Sequence, residues 1–170
     1  MTMDYCMQCG TKLEIHPLEG EGDVPYCPHC QDYRFPVFNA AVSMIVLNPS
    51  KDKILLIQQY GRKNNILVAG FINKGENAEH AVRREVEEEM GLELSRIHFN
   101  KTEYFEPSNT LMINFTCVAK SDDLSHMTSE VDYAAWYSFK DAAKQIRQHS
   151  LAQNFLNYYL TTITQKNNDQ

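Results

Sequence analysis

A chain of 170 residues, 43% hydrophobic and 22% charged, has room for one ordinary domain plus a small module. Its formal net charge of −6 argues against a nucleic-acid binder held by a broad basic surface. No apolar run approaches the ~20 residues that span a membrane. The opening MTMDYCMQCG has no charged-then-apolar leader pattern, so a cytoplasmic protein is expected.

Residues 1–35 form the first block, rich in Cys, Gly, Pro and acidic residues and poor in long apolar runs. It cannot build a core alone, so something else must hold it together. Four of the five cysteines pair by spacing, Cys6-x-x-Cys9 and Cys27-x-x-Cys30, with 17 residues between the pairs. Disulfides are disfavoured in a cytoplasmic chain, and this spacing fits a four-thiolate zinc site. Gly10 after the first pair and Pro28 inside the second suit tight thiolate turns. Four unrelated buried thiols, or a redox pair, are the rival readings; two pairs flanking one loop favour metal. Four protein ligands fill a tetrahedron, so this Zn²⁺ would be structural. Many zinc ribbons bind nucleic acid, which keeps a binding role for the block in view. Cys117, inside INFTCVAK, reads as a core cysteine.

The second block is expected over 36–165. FNAAVSMIVLN (38–48) and KILLIQQY (53–60) read as buried strands joined by the NPSKD turn, and ILVAGFI (66–72) as a third apolar run. RIHFNKTEYFE (96–106), LMINFTCVAK (111–120) and VDYAAWYSF (131–139) read as further strands, with Trp136 in the core. Residues 140–163 read as one or two amphipathic helices, and 166–170 as a disordered polar tail. Strands around one central helix, followed by a helical end, make the class α/β.

The central helix is unusual. GFINKGENAEHAVRREVEEEMGL, Gly70 to Leu92, holds six glutamates in 23 residues. At about 100° per residue, with Glu85 at 0°, Glu89 falls near 40° and Glu88 near 300°, while Glu87 falls on the far side. Ala78, Val82, Val86 and Met90 make the core stripe, and Glu87 and His80 point to solvent. Glu85, Glu88 and Glu89 therefore border the buried face. They repel one another unless a cation lies between them, and an oxygen-rich anionic set suits Mg²⁺ or Mn²⁺. The rival reading is a solvated acidic face. Gly91 stands where a left-handed cap is wanted.

Gly70, five residues, Glu76, seven residues, then Arg84-Glu85-Val86-Glu87-Glu88-Glu89-Met90-Gly91-Leu92 resembles the Nudix box, G-x5-E-x7-R-E-U-x-E-E-x-G-U, at every specified position. At ~7% usage per residue type, seven fixed positions coincide by chance at around 10⁻⁸ per site. The resemblance implies a Nudix α/β/α sandwich preceded by a small four-cysteine zinc ribbon. It implies a hydrolase that cuts a nucleoside diphosphate linked to another group, with the box as loop–helix–loop. Glu85, Glu88 and Glu89 would bind the catalytic metals, and Glu85 is also a candidate to activate water. Glu76 and Arg84 would pair to hold the loop on the helix, and Gly70 would permit the loop's bend.

Relatives often add a carboxylate from outside the box. Glu130, six residues before Trp136, resembles the E-I-x-x-A-x-W-F stretch that carries it; Glu103 and Glu106 compete. A four-cysteine ribbon directly before the box resembles the NADH pyrophosphatases, over about residues 5–145. Their S-Q-P-W-P-F-P-x-S signature corresponds to TEYFEPSNTLM, with Phe105 where the tryptophan stands and the prolines displaced. No counterpart of their N-terminal extension is expected before Cys6. Tyr104 and Phe105 are candidates to stack on a nucleotide base; the rival reading puts one of them in the core. The expected substrate is a small nucleotide, first NAD(H) or an ADP-ribose-like dinucleotide, with NAD-capped RNA as a larger form of the same chemistry. No membrane partner is expected, and the relatives suggest a homodimer. The rival function is a non-hydrolytic nucleotide sensor whose ribbon binds nucleic acid or a protein.

Overall fold

The computed structural model describes residues 3–168, the side chains of 166–168 excepted, and divides into two compact units at Phe38/Asn39. In the first unit β1 (Glu14–Leu18), β2 (Gly22–Cys27) and β3 (Asp32–Tyr33) form an antiparallel sheet in the order β1-β2-β3. Its buried residues are Cys6, Val24, Cys27 and Arg34. Such a short roll of apolar groups supplies far less than the chain entropy of ordering the unit costs.

The second unit is a mixed sheet built from β4 (Asn39–Leu47), β5 (Lys53–Gln59), β6 (Val68–Phe71), β7 (Leu94–Phe105), β8 (Thr110–Ala119) and β9 (Val131–Ser138). Its path is β7-β8-β4-β5-β9, with β6 antiparallel to the start of β4 and β8 parallel to all of β4. Both faces are covered, which is why β4 and β5 read as unbroken apolar runs. Val42, Met44, Val46, Leu55 and Ile57 pack on α1 (Ala78–Met90) through Ala81, Val82, Val86 and Met90. Ile45, Leu47, Ile54 and Leu56 pack with Ala142, Ile146, Phe155 and Leu156. These last come from α2 (Phe139–Gln145), the residue after it, and α3 (Leu151–Asn168). Each such Val, Ile, Leu or Met contributes about 1.5–3 kcal/mol by leaving water. Cys117 is fully buried in the first of these clusters.

The strand and helix expectations therefore hold, and the fold is the α/β type anticipated, with a mixed sheet and helices on both faces. Trp136 is half-buried and packs against the first of these clusters, with its indole N–H donating to the Asp122 carbonyl at 2.9 Å. The C-terminal helices divide at Ile146–Ser150, where Ser150 and Gln153 form a capping arrangement: Ser150 Oγ accepts from Gln153 N at 3.2 Å and Gln153 Oε1 from His149 N at 2.7 Å. The tail expected at 166–170 begins helical, since α3 contains no Gly or Pro to stop it; residues 169–170 lie outside the described residues. Among the described residues no helix is long and apolar enough to cross a membrane.

Candidate functional site

In the first unit the four Sγ atoms of Cys6, Cys9, Cys27 and Cys30 lie within 4.8 Å of one another, with Cys6–Cys30 at 3.9 Å and Cys9–Cys27 at 3.5 Å. A tetrahedron with zinc–sulfur bonds of about 2.3 Å has edges of about 3.8 Å, so the cluster fits a zinc ribbon. Four thiolates this close repel one another unless a cation sits among them. Each pair ends in a left-handed residue, Gly10 (φ 74°) and Gln31 (φ 56°), whose N–H bonds the carbonyl of Cys6 and Cys27 respectively, both at 2.8 Å. Arg34 was not anticipated. Nearly buried, it donates from Nε to Cys6 Sγ (3.3 Å) and from Nη1 and Nη2 to Asp32 (2.5 Å), Tyr33 O (2.9 Å) and Gln8 (3.1 Å). Burial would raise the Cys6 thiol, but Arg34 and the N–H groups of Gln8 and Cys9 outweigh it and bring it down to about 6.

In the second unit α1 begins at Asn77, whose Oδ1 accepts from His80 N at 2.8 Å, and stops at Gly91 (φ 65°), whose N–H bonds the Glu87 carbonyl. A side chain at Gly91 would also strike His126. Between these ends Glu87, His80 and also Glu88 are exposed, Glu85 is half-buried and Glu89 is buried, so of the three carboxylates expected at the border of the apolar stripe Glu88 lies furthest out. The cation found between Glu85 and Glu88 is Arg84: Nη1 donates to Glu85 Oε1 at 2.6 Å and to Glu88 Oε2 at 3.1 Å. The repulsion between those two carboxylates is thus relieved inside the chain.

Arg84 also reaches back to the loop. Nε and Nη2 grip both oxygens of Glu76 at 2.9 and 2.8 Å, and Nη2 bonds the Phe71 carbonyl at 3.0 Å. The bidentate Arg84 pair holds the Glu76 carboxyl at about 2, helped by the Asn73 N–H. The bend assigned to Gly70 is not there. Gly70 lies in β6 opposite Val42 and is absent from the residues with positive φ; Gly75, at φ 86°, supplies the loop's turn. Gly70 is needed for another reason, because a Cβ on it would overlap the Glu85 carboxyl. The box glycine makes room for a glutamate.

Glu89 is set apart. It is 5% exposed, and its Oε1 accepts from Gln59 Nε2 at 2.8 Å. Its Oε2 is the one buried side-chain oxygen or nitrogen among the described residues with no hydrogen-bond partner. Burial pushes its carboxyl up to about 7; the Gln59 bond opposes this, and the charges of Glu85, Glu130 and Glu88 add to it. An acceptor left bare in a dry place is costly, so this oxygen fits a cation-binding role. Glu130 is exposed, in the turn directly before β9. The carboxylates are not gathered into a closed donor set as the thiols are.

Tyr104 and Phe105 are 50% and 38% exposed, so neither fills the core. The Tyr104 hydroxyl donates to Asn109 at 2.5 Å. Tyr104 pairs with Leu111, Leu111 with Ala40, and the Ala40 carbonyl accepts from Ile72 N. Tyr104 thus stands three strand spacings, roughly 14 Å, from the start of the loop that carries Glu76. Glu103 pairs with Lys101 at 3.2 Å, and Glu106 opens a short 3-10 turn. Gln59 gave no local signal; its partner lies 30 residues away.

The NUDIX domain matches residues 37–158. The NAD-capped RNA hydrolase NudC of Pseudomonas aeruginosa (strain LESB58) is 28% identical over 158 residues, 92% of this chain and 55% of that protein. NudC of Escherichia coli O9:H4 (strain HS) is 32% identical over 139 residues, 81% of this chain and 52% of that protein. The chain spans about half the length of the curated relatives it matches. A NUDIX hydrolase from Nitrosomonas europaea superposes with a TM-score of 0.65 at 19% identity, covering 91% of this chain and 88% of that one. The NUDIX domain of Shewanella oneidensis NrtR complexed with ADP ribose gives 0.64 at 16% identity, covering 81% and 94%. At those identities the structural likeness concerns the fold. The matched span, the complete box and the fold agree, and the chain belongs to the NUDIX domain family, with homology to the NudC proteins.

Proposed function

We propose that this chain is a metal-dependent Nudix pyrophosphohydrolase that cleaves a nucleoside diphosphate joined to a second group, with NAD(H) or an ADP-ribose-like dinucleotide as substrate. The observation that carries the reading is the bare, buried Oε2 of Glu89 on the same helix border as Glu85 and Glu88. Glu85, Glu88, Glu89 and Glu130 would hold Mg²⁺ or Mn²⁺, hard cations that take oxygen ligands. Such a cation, when bound, neutralises phosphate oxygens and lowers the pKa of a water. Glu85 is the candidate to accept that water's proton. Arg84 holds Glu85, Glu88 and the Glu76 loop in one arrangement, so the carboxylates are oriented before substrate arrives.

Tyr104 and Phe105 are the candidates to stack on a base, and their exposure at the end of the sheet that also carries Gly70 and Phe71 supports this. The printed name of the relatives, NAD-capped RNA hydrolase, supports the NAD group as substrate. The net charge of −6 favours the free dinucleotide over capped RNA. The four cysteines would carry a structural Zn²⁺, and the protein is read as a cytoplasmic homodimer. The test is a substrate panel with Mg²⁺ or Mn²⁺: NADH, NAD⁺, ADP-ribose, FAD, diadenosine polyphosphates, CoA and nucleoside triphosphates, with products separated by chromatography. The expected result is NADH cut to NMNH and AMP, or ADP-ribose to AMP and ribose 5-phosphate, and neither cut by Glu88→Gln. Tight binding of these ligands without turnover would instead mark a sensor.

A further inference from the structure

Gln59 is the last residue of β5, 6% exposed, and it lies on the strand face that Leu55 and Ile57 bury against α1. A glutamine in that position has to satisfy its amide, and it does so on Glu89 Oε1. The pairing of β5 with β9 is irregular here. Gln58 pairs with Tyr133 but Gln59 with Val131, which leaves Asp132 as an extra residue on β9. Asp132 Oδ2 then accepts from Gly61 N at 2.7 Å, and the Gln59 carbonyl accepts from Arg62 N at 3.2 Å. The chain therefore turns sharply straight after Gln59, with Tyr60 in the left-handed region at φ 60°. Gln59 is fixed by the ladder on one side and by this turn on the other. Its side-chain amide reaches Glu89 on α1.

We propose that Gln59 is a positioning residue for the candidate cation site: its amide holds Oε1 of Glu89 and leaves Oε2 as the atom offered to a cation. The inference rests on the reading of Glu89 as a metal ligand. Its chemistry is that of an outer-shell donor. A carboxylate with two free oxygens can rotate about its last bond; one oxygen fixed by an N–H leaves the other aimed. Losing such a partner costs 10–100-fold in metal affinity or activity. A merely structural glutamine would instead show itself in stability alone.

The test uses the zinc-loaded full chain and Mn²⁺ alone, followed by electron paramagnetic resonance. Gln59→Met and Gln59→Leu keep most of the buried volume and delete the donor; Glu88→Gln serves as the reference for the carboxylate cluster. The expected result is a Kd for Mn²⁺ raised roughly 10–100-fold in whichever Gln59 variant folds, with melting within a few degrees of wild type. Turnover at saturating Mn²⁺ should stay within a few-fold of wild type, while the Mn²⁺ concentration for half-maximal rate rises in parallel with Kd. Mn²⁺ affinity retained in a folded Gln59 variant, when Glu88→Gln loses it, overturns the role of Gln59 and leaves the cluster standing. Equal Mn²⁺ uptake by wild type and Glu88→Gln overturns the cluster reading and this inference with it.

Discussion

Replacing Gly70 by alanine tests how tightly the sheet and the candidate site are fitted together. The new Cβ would overlap the Glu85 carboxyl, whose three atoms are its nearest neighbours. Gly70 does not have a positive φ, so alanine carries no conformational penalty there. The strain therefore falls on the end of a flexible side chain, and stability should change by less than about 1 kcal/mol. Glu85, however, must move out by roughly 1 Å or more, and a misplacement of that size costs about 100-fold in rate. The displacement also disturbs its 2.6 Å contact with Arg84 Nη1, a group tied to Glu76 and Glu88 through the same guanidinium. The assay pairs thermal melting with kcat for ADP-ribose hydrolysis at saturating Mn²⁺. A melting point near wild type with kcat down about two orders of magnitude is expected. A folded variant with kcat within twofold of wild type would refute the close-approach argument.

Three further outcomes follow from the same geometry. Without added divalent cation, the Glu89 carboxyl is raised to about 7 in the folded protein against 4.5 for the free group, so the folded state binds the extra proton between those values and loses stability as pH rises through that window. Glu89→Gln should remove this loss, on the order of 1–2 kcal/mol at pH 8, with the gap in melting temperature closing towards pH 5; a gap independent of pH would contradict it. Cys27→Ser should lower zinc well below one atom per chain by mass spectrometry, while the unit from Asn39 onward keeps its own melting transition because its core is self-contained; full zinc retention would count against the thiol site. The double change Tyr104→Ala with Phe105→Ala should raise KM for NADH about tenfold with kcat little changed, the cost of one lost base stack; an unchanged KM would remove both residues from the substrate's path.

What the sequence made legible was local. The box fixes seven residue types from the end of β6 through one loop and helix, and α1 and the outward Glu87 follow from a 3.6-residue period, with Gly91 as its left-handed cap. The cysteine pairs were legible because each thiol pair sits on one tight turn. What was hidden depends on partners far apart in the chain. Nothing near Gln59 announces Glu89, since the contact needs β5 to lie under α1 and the β5–β9 ladder to shift by one residue. Gly70 was expected to permit a bend because the box resemblance implied one; the packing of α1 on β6 shows that Glu85 occupies the space a side chain would need. Arg34 drew no reading from the sequence, because its burial against Cys6 depends on the first unit folding around the thiols. Trp136 packs against the core as expected but only in part, with its indole N–H donating to the Asp122 carbonyl.

The most direct test of the account is hydrolysis of NADH in ¹⁸O-labelled water with Mn²⁺, analysed by mass spectrometry beside Glu88→Gln. The account predicts cation-dependent formation of NMNH and AMP, one ¹⁸O on a phosphate of one product, and no turnover by the variant. Intact NADH that nonetheless binds, or products whose formation ignores Mn²⁺ and Glu88, would contradict it.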